Sequence, residues 1–362
     1  MKLTLQIKLL PTKEQEQSLL KTIEESNKVC NYISEVAWEK KVFNRFKLHH
    51  LVYRQVKDSS SLSAQVVVRC ISKVADSYKK DKKTKRVFKP FGAIAYDSRI
   101  LSYKQNSVSI WSVDGRLKIP FVCHNPKYLS YIKGEADLVF KKGKFYLFQT
   151  VDIPEEDVKD VNEFIGCDFG VTDICVLSDG TKYSSEELNK VRNKYFKVRR
   201  SLQRKGAAGA KKLLKRLKGK EARHATIINH TIAKRIVEKA KSESKGIAIE
   251  DLTSIRKRVK VRKAQRRLHH SWAFFQLRSF LEYKAKLAGV LLAVVNPHYT
   301  SKICNVCKHV GNRKGKHFEC TNCGNVSDAD VNGAKNIAQL GYLCKHARKG
   351  VSMLDLVQCT TP

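Results

Sequence analysis

Two cysteine pairs, Cys304-x2-Cys307 and Cys320-x2-Cys323, stand twelve residues apart and constrain the fold of the C-terminal third more than any other pattern in the chain. Each pair can present two thiolates from a tight knuckle, and four thiolates complete a closed tetrahedral zinc shell. Gly324, just past the second pair, suits the knuckle turn. A closed shell leaves no position for water, so a zinc held there is structural. His309 and His317 lie between the pairs as surplus ligands, with His309 expected on the surface. The other cysteines (Cys30, Cys70, Cys123, Cys167, Cys175, Cys344 and Cys359) are scattered, and the odd total of 11 argues against a disulfide framework. Cys167 and Cys175 sit in apolar strand contexts and read as small core residues.

The chain has 362 residues, enough for two or three domains. It carries 71 Lys+Arg against 34 Asp+Glu, a formal net charge of +37, which would repel itself in a compact state unless a polyanion neutralised it. Nucleic acid is the partner that this charge implies; an anionic membrane surface is the other. No 18-residue apolar run exists and no signal peptide opens the chain, so a cytoplasmic, nucleoid-associated location is expected. The excess is concentrated: residues 190–267 hold 28 Lys/Arg against 5 Asp/Glu. Arg199, Arg200, Arg204, Lys211, Lys212, Lys215 and Arg216 are expected to track a phosphate backbone, although any one of them alone reads equally as a solvated helix residue. The basic run 256–263 reads either as a loop over the active site or as a linker.

Along the chain, residues 1–10 alternate as a strand. Pro11 and Thr12 open a helical segment, Thr12 as N-cap, that continues with breaks to about Tyr78. Short β-rich runs with hairpin turns at Asp114-Gly115 and 141–144 fill 87–153. Because a strand precedes the helices, the helices are expected to interrupt a β domain. From Phe164 the pattern is α/β: strands at 164–168, 174–177, 247–249 and 291–295, a basic helical stretch from 185 to 242 broken at 206–209, and an amphipathic helix from His270 to Ala288. The expected fold is α+β and multidomain. A wedge-like N-terminal β-barrel (1–10 and 87–153) carries an inserted helical domain (11–86). A C-terminal α/β domain (154–303 and 324–341) carries a four-cysteine zinc ribbon (304–323), and 342–362 form a tail.

Three acids sit where strands and helices can bring them together: Asp168 after a strand, Glu250 after four apolar or small residues, and Asp330 opening a helix directly after the cysteine cluster. Metal-assisted phosphodiester cleavage needs carboxylates that hold two divalent cations about 3.5–4 Å apart, and Mg²⁺ prefers such oxygen ligands. Each acid has a plainer reading. Asp168 can be a turn residue, Glu250 a solvated strand end with Asp251 as the working acid, and Asp328 and Asp330 helix caps. Their order, with the ribbon inserted before the third, points to a metal-dependent nuclease of the RNase H-like (RuvC) type, with 154–303 and 324–341 as that domain.

The stretches Gly166-Cys167-Asp168-Phe169-Gly170-Val171, Ile249-Glu250-Asp251-Leu252, Tyr299-Thr300-Ser301-Lys302-x-Cys304, Cys320-x2-Cys323-Gly324 and Asp328-Ala329-Asp330-Val331-Asn332-Gly333-Ala334-Lys335-Asn336-Ile337 resemble the TnpB (OrfB) family. These are transposon-encoded RNA-guided nucleases related to compact type V CRISPR effectors. Leu10-Pro11-Thr12-x2-Gln15 also matches, so the resemblance runs to about Leu340. It implies an RNA-guided DNA endonuclease from a prokaryote, acting as a monomer on one guide RNA from the transposon end and cutting double-stranded DNA beside a short flanking motif. It also implies Mg²⁺ on Asp168, Glu250 and Asp330, the second acid of the Asp-x-Asp pair being the ligand. The alternatives are a guide-directed repressor that does not cut, against which the intact acids count, and a transposition-associated DNA-binding protein, for which His269-His270 is not a His-x-His signature.

Overall fold

The computed structural model describes residues 1–253 and 274–346 and falls into two compact units, Met1–Pro154 and Glu155–Pro362. The basic run 256–263 and the start of the helix expected from His270 lie outside the described residues.

In the first unit β1 (Lys2–Leu9) is a central strand. It pairs antiparallel with β7 (Lys144–Asp152) on one side and with β5 (Gly115–Cys123) on the other. Its alternation buries Leu5, Ile7 and Leu9, the two-residue period of a strand with one covered face. With β2 (Ile94–Tyr96), β3 (Leu101–Lys104), β4 (Ser107–Ser112) and β6 (Ile132–Lys141), the order is β2-β6-β7-β1-β5-β4-β3. The sheet is nearly closed, but no ladder joins its edge strands β2 and β3. The short connection between Tyr96 and Leu101 spans the gap, and Tyr96 Oη donates to the Trp111 carbonyl at 3.0 Å. Both edge strands are too short to show an alternation in the sequence.

Helices α1 (Lys13–Glu39), α2 (Arg45–Ser59) and α3 (Ala64–Lys80) lie between β1 and β2. Thr12 caps α1 in a reciprocal box with Gln15: each side chain accepts a hydrogen bond from the other's backbone N–H. α3 buries Val66, Val67, Cys70, Ile71, Val74 and Tyr78 along one stripe.

In the second unit a five-stranded sheet has the order β10-β9-β8-β11-β12. β8 (Phe164–Asp168), β9 (Asp173–Leu177) and β10 (Lys182–Ser184) form an antiparallel meander, whereas β11 (Gly246–Glu250) runs parallel to β8 and to β12 (Leu292–Val295). β9 and β11 are buried throughout and β8 up to Cys167, which is why they read as unbroken apolar runs rather than alternating ones. α6 (Lys220–Ser242) and α7 (Phe274–Leu287) join one core with Ile165, Cys167 and Ile247. α8 (Ala329–His346) covers the opposite face through Ile337 and Leu340, packed with Phe164, Ala248 and Val295. The sheet is therefore sandwiched between helices.

Two expectations change. The basic stretch forms three helices, α4 (Glu186–Lys205), α5 (Ala208–Leu217) and α6, because Gly219 takes a left-handed φ of 80° and adds a second break to the one at Gly206. The last helix does not end near residue 341: α8 runs on to His346, with Leu343 and Cys344 packed on the sheet core, so the first residues assigned to the tail are helical. No helix among the described residues is long and apolar enough to cross a membrane.

Candidate metal and nuclease centre

The cysteine cluster assembles at the base of a three-stranded ribbon, β13 (Asn312–Lys314), β14 (His317–Glu319) and β15 (Val326–Asp328). The four Sγ atoms lie within 4.8 Å of one another, with Cys304 to Cys323 at 3.7 Å and Cys307 to Cys320 at 3.4 Å. A tetrahedron with Zn–S arms of ~2.3 Å has sulfur–sulfur edges of about 3.8 Å, so the donor set fits zinc. Burial opposes ionisation of Cys304, yet N–H groups of Cys307 and Val306 aimed at its sulfur hold the thiol below its ordinary value. Cys307 is pulled down to about 6 against burial, with the His309 N–H as the leading opposing contact. Cys323 moves the other way: an Asn325 N–H favours its thiolate, but Cys307, burial and Cys304 outweigh it and push the thiol up to about 12, as expected where sulfurs crowd without a cation between them. His309 and His317 are exposed and outside the cluster.

The ribbon is tied to the helix that follows it. Asn332 Nδ2 and Asn336 Nδ2 both donate to the Ile303 carbonyl, Asn336 also reaches the Thr300 carbonyl, and Asn332 Oδ1 accepts the Asn305 N–H. These buried amides at i and i+4 on α8 fix the first knuckle to the helix carrying Asp330. Their spacing is visible in the sequence; their role was not.

α8 also comes unusually close to β8. A Cβ on Gly166 would stand 1.9 Å from the Ala334 carbonyl oxygen, and one on Gly333 would stand 3.3 Å from Asp168 Oδ2. Backbone thus meets backbone, and the first turn of α8 lies directly against the Asp168 carboxylate. Gly170 allows the turn after Asp168 in the same way, since a Cβ there would be 2.8 Å from the Asp173 carbonyl oxygen.

The three acids named from the sequence interact. Burial first, then the charges of Glu250 and Asp330, push the Asp168 carboxyl up to about 8, while Arg313 acts in the opposite direction. Glu250 is buried at the end of β11, accepts a hydrogen bond from Thr300 Oγ1, and is raised by burial against the pull of that bond and of Arg313. Asp330 Oδ1 accepts from Arg313 Nη2 at 2.9 Å. Asp328 does different work: its Oδ1 accepts the N–H groups of Asp330 and Val331 at 3.0 and 3.2 Å, an N-cap, and its other oxygen pairs with Lys182. Asp251 faces Arg278 at 2.8 Å and the Thr253 hydroxyl, which lower its pKa, the hydroxyl more, and take it out of the cluster.

Thr300, Arg313, Lys182 and the Lys316–Asp173 pair were missed in the sequence. They come from distant segments, and only the ribbon turn brings Arg313 and Lys316 over the acids. Of the basic residues expected to meet phosphate, Arg200, Arg204, Lys211, Lys212, Lys215 and Arg216 are exposed on α4 and α5, whereas Arg199 is half-buried and pairs with Glu221 at 2.7 Å.

The second unit is thus an α/β sheet with Asp168 and Glu250 at the ends of neighbouring parallel strands, and a four-cysteine cluster fit to hold a metal ion just before the helix that carries Asp330. Residues 274–337 match the family model described as Cas12f1-like, TNB domain. The CRISPR-associated endodeoxyribonuclease Cas12f1 of Sulfoacidibacillus thermotolerans is 32% identical over 219 residues, which cover 55% of this chain and 50% of that protein. TnpB-like protein MJ0751 of Methanocaldococcus jannaschii is 34% identical over 156 residues, covering 42% and 56%. A cryo-EM structure of a Cas12f1–sgRNA–target DNA complex aligns over 93% of this chain and 99% of its own, with 19% identity and a TM-score of 0.39. The chain spans about half the length of these two curated relatives. The chain is thus similar, over part of its length, to a TnpB-like protein and to a CRISPR-associated endodeoxyribonuclease.

Proposed function

We propose that this chain is an RNA-guided DNA endonuclease that cuts target DNA beside a short flanking motif by hydrolysis at Mg²⁺ held by Asp168, Glu250 and Asp330. The observation that carries the reading is the burial of Asp168 beside Glu250 and Asp330: burial first, then the charges of those two acids, push its carboxyl up to about 8. Carboxylate oxygens are the donors that Mg²⁺ prefers, and a cation beside Asp168 and Glu250 would offset the burial that Arg313 offsets only in part. Divalent metal supplies an activated water and neutralises charge on the leaving 3′ oxygen. The chain's own residues do the positioning. Thr300 fixes one oxygen of Glu250, Asn332 and Asn336 hold the start of α8, and Asp328 caps that helix so that Asp330 faces the site. Arg313 places a guanidinium, whose fork matches phosphate oxygens, beside Asp330.

In this reading 154–303 and 324–341 form the RNase H-like (RuvC) domain, supported by the antiparallel meander β10-β9-β8 followed by parallel β11 and β12. Residues 304–323 form its structural zinc ribbon. The barrel-like first unit with its helical insertion holds the guide and reads the flanking motif, and base pairing to a transposon-end transcript supplies specificity. The names of the relatives, an endodeoxyribonuclease and a TnpB-like protein, support this assignment.

The test is guide exchange. RNA that co-purifies with the protein is sequenced, its guide segment is replaced, and duplex cleavage is followed in Mg²⁺. Cleavage should move to the new target whenever the flanking motif is kept, and RNA-free protein should cut nothing. Cleavage of a defined duplex by RNA-free protein would overturn the reading in favour of a self-sufficient endonuclease. Guide-dependent binding without cleavage would leave the repressor.

A further inference from the structure

The first unit contains a cleft that the nuclease reading does not use. A cleft of about 680 Å³ opens where the α1–α2 connection meets the C-terminal end of α3, within the range of small-ligand sites. Its aromatic lining comes from Phe43, Phe46 and Tyr78, and its cations include Arg45, Lys47 and Lys82. Phe43 and Tyr78 pack with ring centroids 4.5 Å apart, and the Tyr78 hydroxyl is held by Ser34 at 2.9 Å, so this wall is rigid. Phe46, by contrast, is 74% exposed. A phenyl ring left in water at the mouth of a cleft has a whole face available for stacking.

The charge around the cleft points the same way. Arg45 and Lys47 stand in the first turn of α2, which has no acidic residue there, so two cations face the positive end of the helix dipole. Arg45, Lys47 and Lys82 have no carboxylate partner among the described residues. A stacking face beside uncompensated cations at a helix N-terminus matches one base and its phosphates. A single exposed ring takes one splayed base, as proteins take the unpaired bases of a folded RNA.

We infer that this cleft binds an unpaired nucleotide of the RNA that the protein carries, its base on Phe46 and its phosphates at Arg45, Lys47 and Lys82. The inference rests on the RNA-binding part of the proposed function and adds a specific subsite to it.

The experiment uses the purified full chain and a short oligouridylate containing one 4-thiouridine, with no target DNA, so its outcome is independent of guide exchange. Photocrosslinks are mapped by mass spectrometry, and affinity is measured across a salt series. The crosslink should fall on the peptide that carries Phe46. Phe46→Ala should weaken binding at least about fivefold, as expected for one lost base–aromatic stack, without changing the salt slope. Arg45→Gln and Lys47→Gln should instead each reduce that slope by about 0.7, the loss of one phosphate contact on a single strand. Val87→Ala, another exposed apolar residue, should change nothing. An unchanged affinity in Phe46→Ala, or crosslinks that avoid residues 41–47, would overturn the subsite. Equal or stronger crosslinking of the matching oligodeoxythymidylate would overturn its assignment to RNA.

Discussion

Replacing Asp168 by Asn should make the metal-free protein more stable, although it destroys a proposed catalytic ligand. In the folded chain the Asp168 carboxyl is pushed up to about 8, by burial and by Glu250 and Asp330, whereas in an unfolded chain an Asp titrates near ~3.9. At pH 7 the folded protein must therefore hold a proton that the unfolded chain would release. Over about three pH units at ~1.4 kcal/mol each, this costs about 4 kcal/mol. Inward movement of water or of Arg313 would reduce it, so a gain of about 2–4 kcal/mol is expected for Asp168→Asn. In a unit of this size that corresponds to roughly 5–15 °C in melting temperature.

The sign fixes the pH dependence. The folded pKa is raised, so the penalty is absent below about pH 4, grows as pH rises, and levels off above about pH 8. Melting curves of wild type and variant in chelator should coincide near pH 4 and diverge most near pH 8. Added Mg²⁺ should raise the wild-type melting temperature and leave that of the variant nearly unchanged. A variant that melts at or below wild type at pH 8 in chelator would refute the argument that burial and the neighbouring acids hold the Asp168 carboxyl up.

Other substitutions test neighbouring parts of the centre. Asp330→Ala should abolish DNA cleavage with guide-dependent binding retained, whereas Asp328→Ala should cost only about 1 kcal/mol as a lost helix cap and keep measurable cleavage; the reverse pattern in a cleavage assay would exchange their roles. Elemental analysis should find about one zinc per chain, as one closed four-thiolate shell requires. Cys304→Ser should lower both zinc content and cleavage, because the Asn332 and Asn336 contacts to the first knuckle position α8. Gly166→Ala, which would set a methyl 1.9 Å from the Ala334 carbonyl oxygen, should destabilise the second unit by about 3 kcal/mol or more in urea melts.

Much of the centre is legible in the chain because its signals are local. Four cysteines at knuckle spacing specify their own cluster, and the structure gathers their sulfurs within 4.8 Å. Thr12 and Gln15 encode the start of α1 within one turn of helix. Strands β8, β9 and β11 declare themselves as apolar runs because both faces of the sheet are covered.

What the chain could not declare depends on long-range approach. Asp328 and Asp330 are the same residue type two positions apart, and only the direction of the first turn of α8 makes one a cap and the other the partner of Arg313, with the larger effect on Asp168. Glu250 and Asp251 are adjacent acids, but strand pleating sends one into the cluster and the other to Arg278. Arg313 reaches Asp330 through the folding of the ribbon, and Thr300 reaches Glu250 from the turn that follows β12. The near-closure of the first sheet rests on the short strands β2 and β3, whose pairing becomes visible only beside their partners. Local spacing and burial pattern are written in the sequence. Which of two similar residues faces the site is set by register and helix phase, and those are fixed only when the backbones of β8 and α8 meet at Gly166.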